Sequence, residues 1–383
     1  MNRILHVVYQ MDRGGAETWL MHVFRHIDRS RFQFDFLVHA RKQCAYDEEI
    51  LKLGGRIFRA PHPSQFWTYD RYVRRLLRDQ GPFAAVHSHT CYFDGHVLRM
   101  AAREGVPLRI VHSHNSLYPR LPGLARKIYL YVTTPWIERY ATCGLACSAA
   151  AACALFGADW TRDPRWKVLF YGLDFSAFSA PSNRADVRAE LRIPENALVV
   201  GHVGRFYEQK NHVFLIDVAR ELVGRRPQTH FLLVGDGPLK ARIENQVAQA
   251  GLQRHVTFAG VRADVPRLML SAMDVFLFPS LYEGTPLVLM EAQAAGLPCV
   301  FSDVITPEAD VVSSLVKRVS LSEPPASWAK TVEELLAAPP AVAKAEALAT
   351  AVQSQFNLFS SIRRLECLYA SIPPQPDLRS SRI

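Results

Sequence analysis

Twelve short runs of β-branched and aromatic residues punctuate the chain, each followed by a longer amphipathic segment, and this alternation limits the possible folds more than any other feature. Strand and helix in repeated succession give parallel sheets whose crossovers cover both faces. "RILHVVY", "FQFDFLV", "RIFRA", "AAVHSH", "LRIVHSH", "GLACS" and "WKVLF" are the strands of the first half, and "LVVGHVG", "HFLLVGD", "HVTFAG", "DVFLFPS" and "PCVFSD" those of the second. The predicted class is therefore α/β, with a doubly wound parallel sheet in each half. A length of 383 residues agrees, because single cores stop growing at roughly 250–300 residues. Pro, Ser and Asn come together in "SAPSNRADV", which sets the division near residue 180: domains over 1–180 and 181–355, then a last helix and a Pro-rich, charged tail over 356–383 that is expected to be disordered.

Composition narrows the setting. Seven cysteines without a CxxC pair argue against a disulfide framework or a structural zinc site, which predicts a reducing, cytoplasmic location. The opening apolar run stops before a signal peptide could develop, and "GLACSAAAACALFGA" falls short of the roughly 20 residues that cross a bilayer. A net charge of +9 suits a phosphorylated substrate or an anionic membrane surface. A solvated basic face is the plain reading, and peripheral contact with the inner face of the cell membrane is the second. Neither the aromatic pattern nor the Cys/His spacing of nucleic-acid modules is present, so no nucleic-acid partner is expected.

The stretch "LYEGTPLVLMEAQAAGLP" carries the densest chemistry. Thr285-Pro286 is an N-cap and first-turn pair, so a helix is predicted to start there and to stop near Gly296. Glu283 then lies in the strand-to-helix loop and Glu291 inside the helix, an arrangement unlike the facing carboxylates of a glycosidase. Two carboxylates accepting hydrogen bonds from separate parts of one polyhydroxylated ligand fit it better. The competing reading is that Glu291 merely pairs with a neighbouring arginine or caps another loop.

Upstream, "VGHVGRFYEQKNH" ends a strand at Gly204 and sets Arg205 and Lys210 in the loop before a helix, where two cations could grip a diphosphate. "LLVGDGPL" and "MDRGGAET" are Gly-rich turns after strands; in the second, Gly14 and Gly15 let backbone approach a ligand closely. Neither is the GxGxxG of dinucleotide binding, which counts against a dehydrogenase. Histidines cluster as "VHSHT" and "VHSHNS" where strands run out. Zinc is considered and ranked below polar cleft residues, because Asp, Glu or Cys at ligand spacing is missing. Asp-x-Asp is absent as well, so no metal and no cofactor are expected, and the cations must neutralise the phosphates.

In this order, "VVYQMDRGGAET", "AAVHSHT", "RIVHSHN", "GHVGRFYEQKNH", "LLVGDGPL" and "PSLYEGTPLVLMEAQAAGLPCVFSDV" resemble the retaining glycosyltransferases of family 4, and most closely their EpsF-like exopolysaccharide and capsule branch. The resemblance implies the GT-B fold: two Rossmann-like domains facing across a cleft, the first binding acceptor and the second a nucleotide sugar. It implies a nucleotide-sugar donor, specifically a UDP-sugar, and a saccharide acceptor, specifically a polyprenyl-linked one. Glu291 would accept from the ribose hydroxyls, and Glu283 would bind the donor sugar with the backbone of Gly284 and Thr285. Arg205 and Lys210 would hold the diphosphate under a loop that Gly14 and Gly15 allow to close, and His114 would sit beside the transferred sugar. Configuration would be retained by attack from the face of the departing diphosphate, without an enzyme nucleophile. A same-fold epimerase or glycogen-synthase-like polymerase, or a catalytically silent binding subunit, are the alternatives. One departure stands out: Tyr171 in "YGLD" occupies the family's usual Asn position. The stretch 116–130 matches no acceptor-specific pattern.

Overall fold

The computed structural model describes residues 1–114 and 124–371 and contains two compact units. The first holds a parallel sheet of β1 (Asn2–Val8), β2 (Phe32–Val38), β3 (Ile57–Arg59), β4 (Ala85–Ser88), β5 (Leu108–Ser113), β6 (Cys143–Ala146) and β7 (Trp166–Val168). Their spatial order is β3-β2-β1-β4-β5-β6-β7. The second holds β8 (Leu198–Val203), β9 (Thr229–Val234), β10 (Val256–Gly260), β11 (Val275–Phe278), β12 (Cys299–Ser302) and β13 (Val316–Val319), ordered β10-β9-β8-β11-β12-β13. All pairs are parallel.

Both orders reverse once, between β1 and β4 and between β8 and β11, and open α/β sheets bind ligands beyond the strand ends at such points. Helices on both faces explain why β2 and β9 read as almost unbroken apolar runs: every residue of each is buried. In β2 the charged exception is Asp35, whose carboxylate is held by Arg3 Nε and Arg56 Nη2, each at 2.7 Å. The core of the second unit is built on Phe206, Leu215, Leu222, Phe231 and Trp328.

Two features differ from the sequence expectation. First, β13 was not anticipated, because "VKRV" is an edge strand with only partial burial and its central pair of cations hides the pattern. Second, the division falls after Leu173 instead of near residue 180, and the final helix, Leu358–Ala370, belongs with the first unit. Leu358, Ile362, Leu365 and Tyr369 are buried there, and Leu358 N donates to Leu173 O at 3.1 Å. Local composition marks a linker but carries no information about such a long-range return. The tail expected to be disordered, 372–383, and most of the 116–130 stretch lie outside the described residues.

Candidate functional site

In the second unit, the loops that follow β8 and β11 are laced together. Leu281 N donates to Gln209 O, and Gln209 Nε2 donates to Tyr282 O, both at 2.8 Å. These contacts deliver Lys210 to Glu283: the ammonium donates to Oε1 at 2.6 Å, with the side chains only 16% and 8% exposed. Phe278, the last residue of β11, lies beneath, its ring centre 4.6 Å from Lys210 Nζ. The pair is thus fixed between two strand ends in a partly desolvated setting, where a charged ligand would meet oriented charges instead of mobile ones.

Glycine shapes the floor. Gly235 has φ +137°, and a Cβ there would stand 2.1 Å from Gly204 O. A Cβ on Gly237 would fall 2.7 Å from Phe206 O. The "GDG" turn after β9 therefore packs directly on the backbone of the Arg205 loop, so this turn supports the loop sterically. Arg205 itself is exposed, its guanidinium 5.4 Å from the Tyr207 ring centre, and among the described residues it has no carboxylate partner.

Glu291 lies on the helix Leu287–Ala294, which starts one residue later than Thr285-Pro286 implied: Pro286 occupies the cap position, and Leu287 N donates to Thr285 O at 3.0 Å. Gly284 is buried in the bend before it. The helix ends as expected, with Gly296 at φ +75°. Glu291 is half-buried, and desolvation pushes the carboxyl up to about 7. Among the described residues no cation or hydrogen-bond donor meets that carboxylate, so it does not pair with an arginine. It is a desolvated acceptor available to a ligand.

The first unit gathers its polar groups differently. His114 and His89, just past β5 and β4, join through Nε2 and Nδ1 at 2.8 Å, and His89 Nε2 lies 3.1 Å from His6 Nδ1. His114 Nδ1 bonds the hydroxyl of Tyr171, the residue that departs from the family pattern. Alongside, the Tyr369 hydroxyl reaches His87 Nδ1 at 2.8 Å, and His87 Nε2 reaches His112 Nδ1 at 3.1 Å. Burial holds all five imidazoles well below their ordinary pKa, His6 and His114 at about 3, so they are neutral near pH 7. Both nitrogens of His114 are engaged by the protein itself; acting on a sugar would require it to release one.

Gly14 caps the helix Gly15–His26 with ordinary extended angles, φ −126° and ψ 169°. Space around Gly15 is open: nothing lies within 4 Å of where its Cβ would stand. Lys210 and Glu283 lie in the loops after β8 and β11 and Glu291 lies inside the following helix, where the sequence pattern puts them, whereas the parts played by Gln209 and Phe278 are not legible there. No residue-level signal marks these two, since each acts through a partner distant in sequence, whereas Tyr171 was marked only as a departure from the family pattern.

Residues 13–168 match the family described as Glycosyltransferase Family 4, and residues 183–353 match that described as Glycosyl transferases group 1. The chain is 43% identical over 339 residues to EpsF of Bacillus subtilis (strain 168), covering 88% of each. It is 31% identical over 239 residues, 60% of each chain, to an Escherichia coli UDP-Gal:alpha-D-GlcNAc-diphosphoundecaprenol alpha-1,3-galactosyltransferase. Among solved structures, HepE of Anabaena in complex with UDP and glucose superposes with a TM-score of 0.80 at 22% identity, over 97% of this chain and 100% of that one.

Proposed function

The chain belongs to glycosyltransferase family 4 with the GT-B fold, and on that premise we propose that it transfers a sugar, with retention, from a UDP-sugar to a lipid-linked saccharide during exopolysaccharide or capsule assembly. The observation that carries the donor half is the unpaired, desolvated carboxylate of Glu291 on the helix that the Glu283 loop leads into. A nucleotide sugar supplies what these groups lack. Ribose hydroxyls donate to Glu291, and hydroxyls of the sugar donate to Glu283. The diphosphate takes Lys210 and Arg205 as its cations, which leaves no need for a metal at the phosphates.

Catalysis in this reading is positioning plus stabilisation of the leaving diphosphate by Lys210, whose ammonium is already oriented by Glu283 and Phe278. Attack comes from the acceptor hydroxyl on the face the diphosphate leaves. The acceptor half rests on the Escherichia coli relative, whose name specifies a diphosphoundecaprenol-linked saccharide. The +9 charge supports peripheral attachment at the inner membrane face, where such acceptors lie.

Calorimetric titration with UDP, GDP and ADP, with and without EDTA, tests the donor assignment. UDP should bind selectively and equally in both conditions. Failure to bind any nucleoside diphosphate, or binding that EDTA abolishes, overturns it.

A further inference from the structure

His89, His112 and His114 each offer a nitrogen, and the three nitrogens lie within 4.8 Å of one another at the ends of β4 and β5. Each ring is already gripped from its other side. The Tyr171 hydroxyl holds His114 Nδ1, His87 Nε2 holds His112 Nδ1 at 3.1 Å, and His6 Nδ1 holds His89 Nε2 at 3.1 Å. What remains are His114 Nε2 and His89 Nδ1, facing each other at 2.8 Å, and His112 Nε2, which is buried with no partner among the described residues.

We propose that these three imidazoles form a transition-metal site with an open coordination position, suited to Zn²⁺ or Co²⁺. Three observations converge on it. Metal-ligating histidines nearly always have their second ring nitrogen fixed by an outer partner, and all three rings here are fixed in that way. Imidazole ligates through a nitrogen that carries no proton, and each ring here turns one nitrogen to the others while only its second nitrogen meets an outer partner. An unpartnered buried nitrogen is costly, and a bound ion would satisfy the one at His112.

Access and geometry also suit it. His89 and His114 reach solvent in part, which gives an ion a way in. Zinc–nitrogen bonds of about 2.0–2.1 Å in tetrahedral array place ligand nitrogens roughly 3.3 Å apart. His89 and His114 need therefore separate by only about 0.5 Å from their present 2.8 Å. Binding asks for the His114 tautomer that carries its proton on Nδ1 and donates to Tyr171, with every ring still neutral. Among the described residues no carboxylate joins the trio, so the open position would take water, hydroxide or a ligand anion. The site lies in the unit that does not contain Lys210, Glu283 and Glu291, and it stands whether or not the donor reading does.

The test is Co²⁺ titration of the full chain after stripping with a chelator, followed by equilibrium dialysis and visible spectroscopy. Expected is about one Co²⁺ per chain with the intense ligand-field bands of a low-symmetry nitrogen site, displaced by Zn²⁺. His112→Phe, which keeps a ring against Trp19, should abolish binding. Tyr171→Phe should weaken it by about 10–100-fold, the usual penalty for losing an outer partner. Absence of stoichiometric binding to the stripped protein overturns the proposal, as does binding by both variants at the wild-type affinity. If His112→Phe fails to fold, the wild-type spectrum and Tyr171→Phe decide. UDP affinity, measured on the same samples, reports separately on the donor site.

Discussion

At the ends of β1, β4 and β5 the first unit gathers five neutral imidazoles, whereas at the ends of β8 and β11 the second unit sets an ammonium against one carboxylate and leaves another alone. Both arrangements place polar groups in a partly desolvated strand-end region, and they meet its cost by different means. The imidazoles give up their charge and satisfy most of their nitrogens within the network. Lys210 and Glu283 pair at 2.6 Å, and Glu291 moves its pKa up to about 7. A charged pair can exchange partners with a charged ligand, so the second arrangement suits recognition of a diphosphate, while the first suits neutral donors that a metal can use.

Lys210→Ala should show the difference most strongly. Removing the cation takes the 2.6 Å ammonium partner from the buried Glu283 carboxylate and takes away the group assigned to the leaving diphosphate. Transfer from UDP-sugar should fall by about 10²–10³-fold, the loss typical of one oriented charge-stabilising donor. Lys210→Arg, longer and forked, should recover little of it. Turnover within threefold of wild type in the alanine variant would remove Lys210 from the mechanism.

Next in size is Gly235→Ala, which places a methyl 2.1 Å from Gly204 O at a φ of +137°. Backbone must yield there, and the loop carrying Arg205 and Lys210 must shift. A loss of about 2–4 kcal/mol in urea unfolding is expected, together with loss of UDP binding. A variant as stable as wild type would show that the turn does not constrain the loop.

Glu291→Gln should move affinity and stability in opposite directions. UDP binding should weaken about tenfold, because the ribose hydroxyls lose a charged acceptor. Its pH dependence gives the sign: a carboxyl at about 7 must ionise to accept both hydroxyls, so wild-type affinity should rise as pH goes from 6 to 8, and the variant's should not. The folded pKa lies above the unfolded value, so the contribution of Glu291 to stability is complete below about 4.5 and is lost as pH rises through 7. At pH 8 the glutamine variant should therefore be the more stable protein, by about 2 kcal/mol after allowance for partial exposure. Equal stability of the two at pH 8 would show that the carboxylate is not desolvated.

These contrasts explain what could be read from the sequence. The α/β class and twelve of the thirteen strands were legible because alternating periodicities are local, and the missing β13 is the strand whose edge position lets Lys317 and Arg318 interrupt the pattern. The positions of Glu283 and Lys210 in loops and of Glu291 in a helix were legible because each follows or precedes a strand or cap signal, while the roles given to them are proposals. Phe278, Gln209 and Gly235 took their meaning from neighbours 70 or 30 residues away, which spacing alone does not reveal. The histidines show the limit most clearly. Two His-x-His pairs were visible, but the companions that would make ligands of them were sought among Asp, Glu and Cys. What lies beside each pair is the other pair, one strand over, with His6 from β1 opposite His87, and the metal site proposed above rests on that juxtaposition.

The smallest effect concerns the acid side. In the imidazole network the folded pKa values lie below the unfolded 6.5, so the unfolded chain binds more protons as pH falls. Stability contributed by these rings is complete above pH 6.5 and is lost progressively toward pH 3 for His6 and His114, opposite to Glu291. His6→Phe removes one such group from a setting that already tolerates aromatic rings, with Phe34 4.3 Å and Phe36 5.6 Å from the imidazole centre. Its buried Nε2 has no partner among the described residues, so the loss in hydrogen bonding is confined to the contact with His89. At pH 7.5 the variant should be slightly less stable than wild type, because the nitrogen of His89 is left unpaired and the larger ring must be fitted. Between pH 6.5 and 5.5 wild type should lose about 1 kcal/mol more than the variant, the work of protonating one imidazole that the fold keeps neutral. Parallel urea curves at the two pH values would mean that His6 carries no hidden proton demand, and that the acid limit of this unit is set by other groups.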